Sequence, residues 1–193
     1  MTDPADHVPP IAFRPLTEAD LEQLTDWLNV PHVAQWWSEP PADSGVRPPS
    51  VTLEQTIAEY GPDLEAGGPG HQYVIVIDGA PAGMIQWHRL ADFPDYAAAI
   101  GEQAGDAAGV DVLIGDPTLV GRGLGSRVIA QFGADVLFAT AGVDRVVAGP
   151  AVGNARSIAA FSRAGFRWVR DAAVPDEALP EHVMVCRRDR PSG

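Results

Sequence analysis

The stretch GVDVLIGDPTLVGRGLGSRVI (109–129) joins a short apolar strand to an apolar-faced helix through three glycines on alternate positions, Gly121, Gly123 and Gly125. Glycine weakens a helix, so three at a helix start imply a main chain that something approaches closely. The first amides of a helix lack carbonyl partners and sit at the positive end of its dipole. Without Cβ atoms in the way, such a stretch reads as a phosphate or pyrophosphate cradle. Arg122 can add a charge-assisted contact. The competing reading is a glycine-rich turn that only lets a helix pack closely.

Known phosphate loops narrow the choice. The GK[ST] of a P-loop is absent, and all thirteen basic residues are Arg, which also removes a Schiff-base lysine. A dinucleotide fingerprint would follow its strand directly as G-x-G-x-x-G, whereas Asp116 to Val120 intervene here and the glycine order differs. A coenzyme A pyrophosphate loop remains.

The 193 residues suffice for one sizeable core. Residues 1–10, polar and proline-rich, read as a disordered tail, and 11–190 as one domain. IAFRPL reads as a strand, then a helix capped at Thr17 with Leu21, Leu24, Trp27 and Leu28 on one face. A short helical piece around PHVAQWW and a Pro/Gly loop follow. Residues 52–67 read as a helix interrupted near Gly61-Pro62, and QYVIVIDGAPAGMIQWHRL as a hairpin turning at Asp78-Gly79. Residues 91–108 are small and acidic and read as an irregular loop. A helix over 121–140, the strand DRVVAG, the helix NARSIAAFSRAG and the strands FRWVRD and EHVMVCRR complete the chain. Strands alternating with helices imply an α/β (α+β) layered domain.

The net charge of −13 disfavours nucleic acid, which needs a basic footprint, and favours a cationic partner. No run approaches the length of a membrane span, the N-terminus lacks signal-peptide character, and the lone Cys186 fits a reducing compartment, so a cytoplasmic protein is expected. The five histidines lack metal-ligand spacing and no metal is expected. There is no G-x-S-x-G elbow.

Thirty residues beyond the glycines stands GNARSIAAFSRAGFRWV (153–169): an Asn-led helix running through Ala-Gly-Phe into a strand. Together the two segments resemble the GNAT family of acetyl-CoA-dependent N-acetyltransferases, and the element order matches from about residue 11 to 188. The resemblance implies a mixed central sheet of about six to seven strands flanked by helices and splayed at the coenzyme-binding strand. It implies acetyl-CoA held by Val112, Leu113 and Ile114 of that strand, by the loop residues Leu119, Val120, Gly121, Arg122, Gly123, Leu124, Gly125 and Ser126, and by Asn154, Ser157 and Phe161. The family usually has Gln or Arg where Val120 stands, so phosphate contacts fall to main-chain amides and Arg122.

FRPLTEADLEQLTDWLNVPHVAQWW, GVDVLIGDPTLVGRGLGSRVI and VPDEALPEHVMV resemble, more narrowly, the aminoglycoside 6'-N-acetyltransferases. That branch implies a polycationic amine as acceptor and a monomer or homodimer. Such a substrate calls for carboxylates and aromatic faces. Asp95, Tyr96, Glu102 and Asp106 are expected to form one wall, Trp36 and Trp37 a platform with one ring buried and one facing the cleft, and Asp176 a further acid. The branch tends to carry an Asp where Gly149 stands, so either one substrate carboxylate is missing or another acid replaces it.

Asp111 is the catalytic candidate. Aspartate is disfavoured in strands, yet it sits inside GVDVLIG opposite the face of Val110, Val112 and Ile114. It reads either as a solvated edge residue or as a carboxylate that binds the acceptor ammonium or takes its proton. Family members often have Tyr at Phe161 to protonate the leaving thiolate; a thiol pKa of about 8.5 lets the thiolate leave unaided, and Tyr96 or water is the substitute. Two other readings stay open: a different small amine, such as a lysine-derived siderophore precursor, as acceptor, and a coenzyme-binding sensor without turnover.

Overall fold

The computed structural model describes residues 9–37, 50–64, 70–103, 105–139, 143–175, 177 and 179–188. Seven strands form one sheet in the order β1-β2-β3-β4-β5-β7-β6. They are β1 Ile11–Pro15, β2 Gly70–Ile77, β3 Ala80–Arg89, β4 Ala107–Ile114, β5 Arg145–Ala148, β6 Arg167–Ala172 and β7 Glu181–Arg187. Among the described residues six α-helices accompany them: α1 Leu21–Asn29, α2 Pro31–Trp37, α3 Leu53–Leu64, α4 Pro94–Ala99, α5 Leu124–Phe132 and α6 Ala155–Arg163.

Strand alternation sorts the side chains into two layers. Ile75, Ile77, Ile85, Val110 and Val146 pack under α5 and α6, meeting Leu124, Val128, Phe132 and Phe161. Val74, Met84 and Leu113 face the other way and meet Leu24, Trp27 and Leu28 of α1 and Tyr60 of α3. At the start of α1 the Thr17–Asp20 capping box is present, and Arg14 grips the Asp20 carboxylate at 2.7 and 2.6 Å. That hydrogen-bonded pair pulls the Asp20 carboxyl down to about 2.

Every strand pair is antiparallel except β4–β5, which is parallel only at Ala107↔Arg145, Ala108↔Val146 and Gly109↔Val147. Beyond Gly109 the two strands part, and Val110–Ile114 have no ladder partner on that side. This is the splay that the family resemblance implies. Antiparallel β5–β7 and β6–β7 pairings carry the sheet on past the gap.

Several expectations need correction. Residues 91–108 are not an irregular loop: a 3-10 turn at Leu90–Asp92 leads into α4, and β4 begins at Ala107. Pro94 starts α4, and the alanines that read as featureless are good helix formers. Ala97 and Ile100 seal a small third cluster with Leu90, Val147 and Val183. Helix α3 runs through Pro62 to Leu64 without interruption, although the proline withholds one N–H from the ladder. The long helix over 121–140 ends at Phe132 and continues as a π turn, Gly133–Leu137, that keeps Leu137 buried. Of the expected tail, residues 1–8 lie outside the described residues; the Pro9 carbonyl accepts from Arg127 at 3.0 Å and that of Pro10 from the Asp78 amide at 3.0 Å. Among the described residues no helix is long and apolar enough to cross a membrane.

Gly115, just past β4, lies against the buried Trp27 ring, and a Cβ there would fall inside the indole. Gly115→Ala is expected to cost about 1–3 kcal/mol by overpacking, read as a lower urea midpoint at unchanged slope.

Candidate active site

Two cavities open where β4 and β5 part, and they share Asp111, Gln35, Trp36, Trp37, Gly149 and Ala151. The first, about 360 Å³, lies between the free edge of β4, the glycine loop and α6. The second, about 690 Å³, lies between α3, α4, β3 and the start of β7.

The first cavity is built for a negative, elongated ligand. Helix α5 starts at Gly123, an N-cap with left-handed backbone and no side-chain cap, so its first-turn amides stay without partners. Gly121 and Gly123 have φ of 81° and 75° with nothing within 4 Å of where a Cβ would stand. Backbone conformation, not crowding, requires glycine at both. Arg156 and Arg163 of α6 add positive charge, and Asp111 is the sole carboxylate among the described lining residues. On β4 the Gly115 amide donates to Ala82 on the β3 side, at 2.8 Å. The Ile114 carbonyl therefore points into the gap, where it meets His32 Nε2 at 2.7 Å. By alternation the polar main-chain groups of Val112 face the gap too, a free strand edge for an extended amide-bearing chain.

The second cavity has the opposite sign. Glu59, Asp63, Asp95, Asp111, Glu177 and Glu181 line it together with Trp36, Trp37, Tyr60, Phe93 and Tyr96, and no Arg is among the described lining residues. Trp37 Nε1 donates to the Tyr60 hydroxyl at 3.0 Å, which fixes one face of the wall. Burial pushes the Tyr60 and Tyr96 hydroxyls upward, so both stay protonated donors. The Tyr96 hydroxyl donates to Glu181 at 2.9 Å. Asp111, half-buried at the junction, accepts from Gln86 Nε2 at 3.2 Å.

The family model for the acetyltransferase (GNAT) domain matches residues 17–174. The chain belongs to the GNAT acetyltransferase family. Aminoglycoside N(6')-acetyltransferase type 1 of Klebsiella pneumoniae is 28% identical over 168 residues, spanning 86% of this chain and 78% of that protein. A solved structure of aminoglycoside acetyltransferase AAC(6')-Ib with coenzyme A and kanamycin is 26% identical, covers 93% of this chain and 95% of its own, and superposes with a TM-score of 0.72. One with ribostamycin and coenzyme A is 26% identical, covers 92% and 93%, and gives 0.74.

Within this GNAT domain most of the expected residues converge. Val112, Leu113, Ile114, Leu119, Val120, Gly121, Gly123, Gly125, Ser126, Asn154, Ser157 and Phe161 all border the first cavity. Asn154 Oδ1 is already committed to capping α6, accepting from the Ser157 amide at 3.1 Å, so its NH₂ group is what can donate to a ligand. Phe161 is buried against Phe166, with ring centroids 5.0 Å apart, and offers the cavity an apolar floor. Asp95 and Tyr96 line the second cavity as expected.

Other expectations do not hold. Arg122 does not border the first cavity; it is exposed and within electrostatic reach of Asp116. The Leu124 side chain turns into the core. Glu102 faces Arg145 and Arg170 at 3.5 and 3.8 Å instead of the cleft, because α4 carries the chain away from it. Asp106 borders neither cavity. Neither Trp36 nor Trp37 is buried: Trp36 is 38% exposed, Trp37 half-buried, and both face the shared opening. Tyr96 borders only the second cavity, away from the glycine loop, with its proton directed at Glu181. Asp176 lies outside the described residues.

Sequence reasoning missed Arg156 and Arg163, seven residues apart and so on one face of α6. It also missed the Glu59, Tyr60 and Asp63 wall of α3, and Glu181.

Proposed function

We propose that the protein transfers the acetyl group of acetyl-CoA to the 6'-amine of an aminoglycoside. The observation that supports this best is the meeting, at Asp111, of a cation-lined cavity and an acid-lined one. A diphosphate thioester and a polyammonium sugar are ligands of opposite charge that must be brought end to end. The similar enzymes solved with coenzyme A and with kanamycin or ribostamycin support both ligands.

In this reading the α5 amides and Arg156 and Arg163 hold the phosphates. The pantetheine arm lies along the free edge of β4, with the thioester carbonyl on a main-chain amide that also serves the oxyanion. Trp36 and Trp37 cover the sugar rings, and the acids of the second cavity pair with its ammonium groups. Asp111 holds the reacting nitrogen against the thioester. The amine gives up one proton, its lone pair attacks the carbonyl carbon, and the C–S bond breaks to leave coenzyme A thiolate. That thiolate takes the second amine proton as the tetrahedral adduct collapses.

A thiol-release assay with acetyl-CoA tests this. Kanamycin should release thiol, and an aminoglycoside with a 6'-hydroxyl in place of the amine should not. Thiol release with a lysine-derived hydroxylamine but not kanamycin would transfer the assignment to a siderophore precursor. Coenzyme binding without turnover of any amine would make the protein a sensor.

A further inference from the structure

We propose that Glu181 is the proton acceptor of the reaction, the group that takes the first proton from the acceptor ammonium while Asp111 holds the nitrogen in place. The proposal rests on the acetyl-transfer reading above.

Three observations carry it. The first is placement. Residue 181 opens β7 and is fixed from both sides: it bridges to Ala151 across one edge and pairs with Ala172 of β6 across the other. Flanking bonds from His182 N to the Pro150 carbonyl at 2.8 Å and from Val152 N to the Pro180 carbonyl at 2.9 Å lock that frame. Such a frame fixes where the side chain leaves the backbone, and the Tyr96 hydroxyl orients the carboxylate, as a proton-transfer group needs.

The second is the space around it. Gly149, directly after β5 and at the mouth shared by both cavities, has no side chain, and a Cβ built there would fall inside the Glu181 carboxylate. The absence of a side chain at 149 is what lets a carboxylate from a neighbouring strand occupy the rim of the splay. The third is its chemistry. The carboxylate is half-buried and accepts one hydrogen bond, from Tyr96 at 2.9 Å. Asp111 and Glu177 are the charged groups near enough to act on it. The elements around it contribute Tyr96 from α4, Asp111 from β4 and Glu177 from the chain before β7; Arg145 of β5 and Arg170 of β6 face Glu102 instead, Asp171 of β6 pairs with His182 of β7, and the 149–151 segment carries no titratable side chain. No Arg is among the described residues lining this cavity, and an ammonium is the charge that suits it.

Burial, with help from Asp111 and Glu177, raises the Glu181 carboxyl to about 7, against the Tyr96 hydrogen bond that lowers it. A carboxylate with that affinity accepts a proton from an ammonium far more readily than an ordinary one. Two neighbouring acids in different settings can divide the work of holding charge and moving protons. The proton taken by Glu181 leaves to solvent through the open second cavity after the thiol departs, so each turnover releases one proton, one amide and one thiol.

The test uses the full chain, acetyl-CoA and kanamycin. The wild-type protein is assayed first: lack of turnover there sinks the acetyl-transfer reading and this proposal with it, whereas the variants test this proposal alone. Wild-type kcat/KM should rise with pH through about 7. Glu181→Gln keeps a hydrogen-bond acceptor for Tyr96, and should lower kcat about 100-fold and lose that limb, with an unchanged dissociation constant for coenzyme A. Asp111→Asn should keep the limb and move it to lower pH. Because Gly149 and Glu181 compete for one spot, Gly149→Asp combined with Glu181→Ala should regain at least about tenfold over Glu181→Ala alone. Near-wild-type kcat with the limb intact in Glu181→Gln overturns the proposal. So does a limb that vanishes in Asp111→Asn instead, or a folded double variant no faster than Glu181→Ala.

Discussion

Asp111→Asn is expected to lower kcat/KM for the amine about 100-fold while leaving the fold and the coenzyme's affinity intact. The carboxylate stands at the junction of the two cavities, where the reacting nitrogen must lie. A hydrogen bond to a charged group is worth about 1.5–3 kcal/mol, which at about 1.4 kcal/mol per decade approaches two powers of ten. The loss should exceed that for any single rim acid such as Asp95, whose charge is exposed and screened. Gln86 Nε2 donates to Asp111 Oδ2; asparagine can still accept that bond through its one side-chain oxygen and removes one of several crowded negative charges, so thermal stability should hold or rise. Steady-state kinetics beside a melting curve checks both halves; a tenfold or smaller drop in kcat/KM would show that Asp111 does not hold the reacting amine.

The second large effect belongs to the glycine loop. Gly123→Val puts a β-branched residue at φ 75°, a conformation that costs about 1–2 kcal/mol for L-residues. Because Gly123 aims the first amides of α5, any relief of that strain moves the phosphate donors. The dissociation constant for acetyl-CoA should rise at least about tenfold. Gly125→Ala separates binding from folding. A Cβ there would meet Ala160 Cβ at 3.7 Å, an ordinary contact, inside a helix that glycine weakens. Gly125→Ala should therefore stabilise the protein by up to about 1 kcal/mol, yet weaken acetyl-CoA binding, because Gly125 borders the cavity and its missing side chain serves the ligand. Calorimetric titration of both variants, with denaturant curves, reads the two effects apart.

What was legible in the sequence was local. A helix start stripped of side chains announces itself in three letters, and an aspartate set among strand valines is conspicuous because nothing about a strand favours it. The alternation of IVI and MIQW announces two-faced strands, and the packing of Ile75 and Met84 on opposite sides bears that out. What was hidden depends on residues far apart in the chain. Glu102 looked like a cleft acid until Arg145 and Arg170, each more than forty positions on, came to face it. Helix α4 lacks an amphipathic pattern long enough to read, and forms because Pro94 starts it and Ala97 and Ile100 find a pocket. Glu181 reaches the site only because β7 inserts between β5 and β6 and brings it opposite a glycine thirty-two positions earlier. The departure at Gly149 was visible as a missing acid; the acid near that spot was not.

The claim that one cavity holds the thioester carrier and the adjoining one the polyamine is tested most directly by titration calorimetry on a single sample. Coenzyme A is added first, then kanamycin at saturating coenzyme A. Two separate one-to-one binding events, with the kanamycin heat falling as salt is raised and the coenzyme remaining bound, are what the two-cavity arrangement predicts. Kanamycin displacing coenzyme A, or binding by neither ligand at millimolar concentration, would contradict it.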